Sequence, residues 1–151
     1  MTNDSQRLSS GGDIDRTKII SFEFNGTLHQ GYQGDTLASA LIANGVSLTA
    51  RGFKYHRPRG IMGVGSEEPA SFVELLGDAA SGSQPITTVV LREGLRAISV
   101  SCWPSPNFDL MSINQLISKL IPAGFYYKTF MWPNWHFFEP YIRRIAGLAN
   151  A

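Results

Sequence analysis

The sequence predicts an α+β fold: a small sheet crossed by one helix, followed by a helical extension rich in aromatic residues. Three observations carry this expectation. Residues 18–24 alternate in polarity and run straight into Asn25-Gly26. Residues 34–45 hold one short helical pattern between a capping signal and a glycine. Three further short apolar runs follow before position 103, where the composition changes. A length of 151 residues suits one domain with an extension.

The elements follow in order. Over 18–24, Ile20, Phe22 and Phe24 fall on one face and Ser21 and Glu23 on the other, the period of a half-buried strand. Asn25-Gly26 is a strong hairpin signal, because both residues tolerate positive φ. A second strand is expected over 27–32. Gly34-Asp35-Thr36 opens a helix, with Asp35 or Thr36 able to cap its free N–H groups. Leu37, Ala40, Leu41 and Asn44 lie at helical spacing, and Gly45 suits the left-handed residue that ends such a helix. A hairpin followed by one helix is the opening half of a β-grasp. Residues 46–69 read as a long ordered loop. Strands are then expected over 72–76, 86–91 and 95–102, the last with Ile98 and Val100 facing inward against Ser99 and Ser101. Glu93-Gly94 forms the turn between the last two. The expected core is Ile20, Phe22, Phe24, Leu37, Leu41, Val73, Leu75, Val89, Leu91, Ile98 and Val100.

The organisation predicted is a disordered polar tail over 1–17, a β-grasp domain over 18–103, and a helical and aromatic extension over 104–151. Asp109 can cap a helix carrying Leu110, Ile113, Leu116, Ile117 and Leu120, stopped by Pro122. Nine aromatic residues then fall within 125–141, and a last helix is expected over 139–148 with Arg143 and Arg144. Nine clustered aromatics are costly to leave in water. They either fold onto their own domain or fill a surface on something larger.

Composition excludes several classes. A net charge of +1 steers the chain to no particular partner. No run approaches the roughly 20 apolar residues of a membrane helix, and the polar start is neither a secretory nor a transit signal. The single cysteine, Cys102, rules out an internal disulfide and favours a reducing, cytoplasmic setting. It also speaks against an iron–sulfur cluster held by this chain, since such a cluster takes about four thiolates. The sequence carries no dinucleotide-binding glycine fingerprint, no P-loop, no metal-spaced His/Cys cluster and no nucleophile elbow.

Two stretches could carry function. The first is Arg51-Gly-Phe-Lys-Tyr-His-Arg-Pro-Arg-Gly60, in which Lys54, Tyr55, His56, Arg57 and Arg59 are the candidate cofactor- or partner-contact residues. Arginine forks suit phosphate or carboxylate, so the loop fits an anion-binding or partner-docking role. It equally fits a solvated basic loop whose arginines pair with Glu67 and Glu68. No spacing fixes a carboxylate or nucleophile beside His56, so no catalytic residue is assigned. The second is Met62-Gly-Val-Gly-Ser-Glu-Glu-Pro-Ala70. It keeps the glycine skeleton of the plant-type [2Fe–2S] loop, Cys-Gly-x-Gly-x-Cys-x-x-Cys, with Met62, Glu67 and Ala70 at the thiolate positions. The fold expected is therefore ferredoxin-like, with no metal ligand and no cluster.

Several strings together resemble the alpha subunits of heterotetrameric sarcosine oxidases over about residues 18–148. They are Gly34-Asp35-Thr36-Leu37-Ala38-Ser39-Ala40-Leu41, Phe53-Lys54-Tyr55-His56-Arg57-Pro58-Arg59-Gly60-Ile61, Glu67-Glu68-Pro69 and Trp103-Pro104-Ser105. Phe130-Met131-Trp132-Pro133 and Arg143-Arg144-Ile145-Ala146-Gly147-Leu148 add to them. The resemblance implies a complex that demethylates sarcosine oxidatively, with tetrahydrofolate and oxygen as co-substrates. It implies FAD in a beta subunit, FMN at the alpha–beta interface and NAD on the alpha subunit, none of them bound by this chain alone. It implies partners in the rest of the alpha chain and in the beta subunit, with no nucleic acid and no membrane. Related amino-acid and opine dehydrogenase subunits and hydrogen cyanide synthase share the architecture but usually keep the cluster cysteines. A different class, a stand-alone module binding anions or nucleic acid through the basic loop, stays open on the residues alone.

Overall fold

A computed structural model describes residues 6–77, 82–116, 118, 132 and 134–145. Strands β1 (Asp15–Phe24) and β2 (Thr27–Gln33) form an antiparallel hairpin, with Phe24 opposite Thr27 and Phe22 opposite His29. Asn25 and Gly26 turn it with φ of 50° and 80°, the left-handed geometry that matches strand twist. Helix α1 (Leu37–Ala43) follows. Thr36 caps it by accepting from Ser39 N at 3.2 Å, and Ser39 Oγ accepts from Thr36 N at 3.0 Å, a reciprocal box that satisfies two free donors.

The short strands β3 (Ala50–Arg51) and β4 (Pro58–Arg59) pair with each other apart from the main sheet. Strands β5 (Phe72–Leu75), β6 (Gln84–Pro85) and β7 (Leu95–Ser99) complete a five-stranded sheet in the order β2-β1-β7-β5-β6. β7 lies parallel to β1 and antiparallel to β5, and α1 packs across the sheet, which is the β-grasp arrangement. The core is formed by Phe22, Phe24, Leu37, Leu41, Val73, Leu75, Ile86, Val89, Leu91, Leu95 and Ala97, with Ile20 packed against it. Gly31 lets α1 approach β2. A Cβ there would stand 2.6 Å from Leu91 Cδ2 and 3.0 Å from Ala40 Cβ.

Several expectations are corrected. Residues 86–91 are not a strand: β6 ends at Pro85, a turn follows, and only Val90 bridges to Thr36. The β-branched residues there, Ile86 and Val89, are buried from a loop, so tertiary burial outweighs strand propensity. β7 presents the face opposite to the one expected. Leu95, Ala97 and Ser99 point inward, while Ile98 and Val100 are only half-buried. Ser99 tolerates this burial because its polar atoms are satisfied. Its N donates to Asn25 Oδ1 at 2.8 Å, its hydroxyl donates to Thr49 O at 2.6 Å, and the same hydroxyl accepts from Asn25 Nδ2 at 2.8 Å.

The long loop over 46–69 contains the β3–β4 hairpin and a short 3₁₀ turn at Gly65–Glu67. Asp109 caps a 3₁₀ turn, Leu110–Gln115, rather than an α-helix. The expected helical positions Ile117 and Leu120, and the aromatics Phe125, Tyr126, Tyr127 and Phe130, lie outside the described residues. Helix α2 (Trp135–Ile145) begins four residues before the expected position 139, with Asn134 Oδ1 accepting from His136 N at 2.8 Å. Trp132, Phe137 and Tyr141 are exposed.

Of the tail expected to be disordered over 1–17, residues 1–5 lie outside the described residues and the described part from residue 6 on is anchored. β1 starts at Asp15, and Arg7 donates to both carboxylate oxygens of Asp35 at 2.9 and 2.8 Å while lying 5.2 Å over the Tyr32 ring. Asp35 is buried and also accepts from Tyr32 N and Ser39 Oγ. Burial alone would raise its pKa, but Arg7, Tyr32 N and Ser39 outweigh it and hold the carboxyl below its usual range. We expect Arg7→Ala to cost about 2 kcal/mol of stability and to expose residues 6–14 to proteolysis. Thermal melting and limited digestion check both, and unchanged melting would return the segment to a passive tail.

Candidate functional site

The basic loop is the turn of the β3–β4 hairpin. His56 N donates to Gly52 O at 2.7 Å and Gly52 N to Arg57 O at 2.9 Å, so the loop closes tightly on itself. Closure puts His56 in the left-handed region, at φ 51°. That strain is held by what its side chain finds inside. His56 is 2% exposed, and its Nδ1 lies 2.7 Å from Asp109 Oδ2. Against an ionised carboxylate this nitrogen carries the proton.

Asp109 is buried and engaged on both oxygens. Its Oδ1 accepts from Trp103 N and Met111 N, each at 3.1 Å, and its Oδ2 lies 3.9 Å from Arg51 Nε. Arg51 in turn donates from Nε to Pro106 O at 2.7 Å and from Nη1 to His56 O at 2.8 Å. Gln115 Nε2 also donates to His56 O at 3.3 Å. The result is a buried Arg51–His56–Asp109 knot that ties the basic loop to residues 103–115. Part of the expected extension therefore packs onto the β-grasp domain.

The five candidate residues separate around this knot. Lys54 and Arg57 both lie over the Tyr55 ring, at 4.9 and 5.1 Å from its centroid, and make one outward cationic face. His56 points the other way, into the domain. Arg59 is exposed and lies beside Gly52, whose missing Cβ would stand 3.4 Å from Arg59 Nε. Neither Arg57 nor Arg59 pairs with Glu67 or Glu68 among the described residues. The sequence reading missed Arg51 and Asp109. Asp109 was legible as a helix cap, which it is, but nothing in the spacing joins it to a histidine 53 positions away.

Glu68 explains why the acids do not answer the arginines. It is 2% exposed and accepts four backbone N–H bonds. Oε2 takes Met62 N at 2.8 Å and Gly63 N at 2.6 Å, and Oε1 takes Ala70 N at 2.8 Å and Ser71 N at 2.9 Å. The glycine loop thus wraps its own carboxylate. Gly63 is required there, since a Cβ would meet Glu67 O at 2.9 Å, and Gly65 turns the chain at φ 61° with its carbonyl held by the Thr87 hydroxyl. Burial would raise the Glu68 pKa, but the four amides outweigh it and hold it below the usual range.

Cys102 is half-buried. Burial, and then the Asp109 charge, push its thiol up to about 11 against a smaller opposing effect of Arg51, so it is neutral at physiological pH. Among the described residues no group of three or more His, Cys, Asp or Glu side chains stands together as a metal site.

Comparison with known proteins places this arrangement. Residues 17–101 match the family of the 2Fe-2S iron-sulfur cluster binding domain. The chain belongs to that family. The expectation that the domain is one without an iron–sulfur cluster is thereby overturned: its family is a cluster-binding one. The side chains of this particular loop do not fit a thiolate-held cluster, because Met62, Glu67 and Ala70 stand at the ligand positions and Glu68 occupies the loop amides. Cys102 lies just beyond the matched range. Among full-length relatives, the chain is similar to sarcosine oxidase subunit alpha of Rhizobium meliloti, at 50% identity over 97% of this chain and 15% of that protein. It is also similar to sarcosine oxidase subunit alpha of a Corynebacterium species, at 34% identity over 64% of this chain and 11% of that one. The chain thus spans a small part of each relative's length. An L-proline dehydrogenase structure from P. horikoshii matches 56% of this chain and 16% of that one at 20% identity, with a TM-score of 0.45.

Glu68→Gln places an amide NH₂ against two backbone donors. We expect it to cost about 1–3 kcal/mol at neutral pH. The folded-state value of Glu68 is depressed, so its stabilisation is present above the unfolded carboxyl value near pH 4 and is lost as pH falls through the folded value. Denaturant melts of both proteins from pH 7 down to about pH 3 check this. A gap that stays constant across that range would contradict it.

Proposed function

We infer that this chain is the structural and subunit-contact part of a sarcosine oxidase alpha subunit. The observation that carries the reading is its 50% identity, over 97% of its length, to such a subunit. The complex would oxidatively demethylate sarcosine to glycine with tetrahydrofolate and oxygen as co-substrates, in the cytoplasm. No helix among the described residues is long and apolar enough to cross a membrane. In this reading the β-grasp domain contributes no reacting group. Its one buried histidine is paired to Asp109 and closed off from solvent, as a positioning element would be.

The contacts assigned to this part are the cationic face of Lys54, Tyr55 and Arg57 with Arg59 beside it, and the exposed aromatics of residues 132–141. They would meet the rest of the alpha chain and the beta subunit. Stacking of both cations on Tyr55 supports this, because it orders long side chains in advance and lowers the entropy lost on docking.

The test is to purify the chain with the remaining subunits of such an oxidase and measure peroxide release from sarcosine. We expect release from the assembled complex and none from the chain alone. Arg57→Ala should weaken association by on the order of 2–5 kcal/mol if its contact is desolvated, read by titration at fixed salt. Peroxide release that scales with the isolated chain, or assembly indifferent to Arg57→Ala and Arg59→Ala alike, would defeat the reading.

A further inference from the structure

Beneath the outward cationic face lies a cavity of about 340 Å³ between the β3–β4 hairpin and the start of β5. Arg51, Gly52, Phe53 and Arg59 line it from the hairpin, and Phe72 and Val100 from the sheet. Among the described residues no acidic side chain lines it. Its two guanidinium groups are differently committed. Arg51 spends Nε and Nη1 on Pro106 O and His56 O, which leaves Nη2 without a hydrogen bond to any described residue. The Arg59 side chain makes no hydrogen bond or ion pair with any described residue, its backbone carbonyl alone being held by Thr49 N, and it lies against the bare Cα of Gly52. The Arg51–Asp109 pair neutralises one charge and leaves the Arg59 charge uncompensated at the cavity wall. The rest of the lining is mainly apolar, with Ser83 and Ser101 as the remaining hydroxyl-bearing residues.

We propose that this cavity binds a small organic oxyanion, a carboxylate or phosphate monoester on a flat apolar body, with its head on Arg59 and Arg51 and its body against Phe53 and Phe72. The chemistry follows from the lining. A guanidinium presents two parallel donors that match either head group, and an arginine held beside a low-dielectric wall attracts an anion more strongly than one in open water. Aromatic walls select for a ring over a bare ion. The inference rests on the basic hairpin having a binding role. It assigns Arg59 to a small ligand and leaves Lys54, Tyr55 and Arg57 to protein contact.

The experiment is a titration of the full chain with phenyl phosphate, benzoate, inorganic phosphate and phenol, followed by amide NMR shifts at two salt concentrations. At least one of the two aromatic anions should bind saturably, with shifts centred on Gly52, Arg59 and Val100, and binding should weaken as salt rises. Binding by phenyl phosphate alone identifies a phosphate ester, and by benzoate alone a carboxylate. Phenol and inorganic phosphate should each bind at least about tenfold more weakly than the preferred anion. Arg59→Ala should weaken binding at least about tenfold, and Arg59→Lys should restore part of it. Arg57→Ala should change it less than about twofold, since Arg57 lies over Tyr55 outside the cavity. Arg59 holds β4 through its backbone alone, which a side-chain substitution keeps, so its variants should melt as the parent does. The proposal is overturned if neither aromatic anion binds, if phenol binds as well as they do, or if Arg59→Ala leaves affinity unchanged. Such a failure leaves subunit contact standing, because that is read by association of subunits and not by small anions.

Discussion

A carboxylate buried out of reach of solvent holds this molecule's basic hairpin in place. Asp109 is held there by His56 Nδ1 and the backbone N–H groups of Trp103 and Met111, with the Arg51 guanidinium 3.9 Å away. Those partners come from two stretches of chain far apart in sequence. The basic hairpin is drawn inward by His56 and Arg51, and the post-sheet segment is drawn back over it by residues 103–111. A buried charge with one missing partner is far costlier than one with all of them, so the set behaves as a unit. The same residue that reaches Asp109 carries the left-handed backbone of the hairpin turn, at φ 51°.

The same physics recurs twice more. Glu68 gathers four amides in the glycine loop, and Asp35 gathers Arg7, Tyr32 N and Ser39 at the start of α1. In each case an irregular stretch is shaped by an anion it surrounds, where regular hydrogen-bond ladders are absent. For the glycine loop this matters to lineage. The family is one whose loop wraps an anionic cluster held by thiolates. In this chain the loop amides converge on a side-chain carboxylate, with the glycines that permit such a curl still in place.

Much of the fold was legible in the sequence, and the reasons are local. Polarity alternation, Asn25-Gly26 and the Thr36–Ser39 cap each act over a few residues, so they identified β1, β2 and α1 with little error. The failures share a non-local cause. The parity of β7 is decided by Asn25 and Thr49 satisfying Ser99, contacts 74 and 50 positions away. Ile86 and Val89 look like strand residues because they are buried, whatever their backbone does. The five candidate residues of the basic hairpin were found as a group from composition. Their division into an outward stacked face, an inward histidine and a cavity-lining arginine was not, because Asp109 is invisible as a partner until the chain folds back.

The claim that Asp109 joins the basic hairpin to the segment after the sheet is tested most directly by amide hydrogen exchange on the full chain and on Asp109→Ala. If the knot is one unit, protection is lost together in residues 51–59 and 103–111, while β1, β2 and α1 keep theirs. Loss confined to residues 108–112, with the hairpin amides of Gly52 and His56 still protected, would contradict the account.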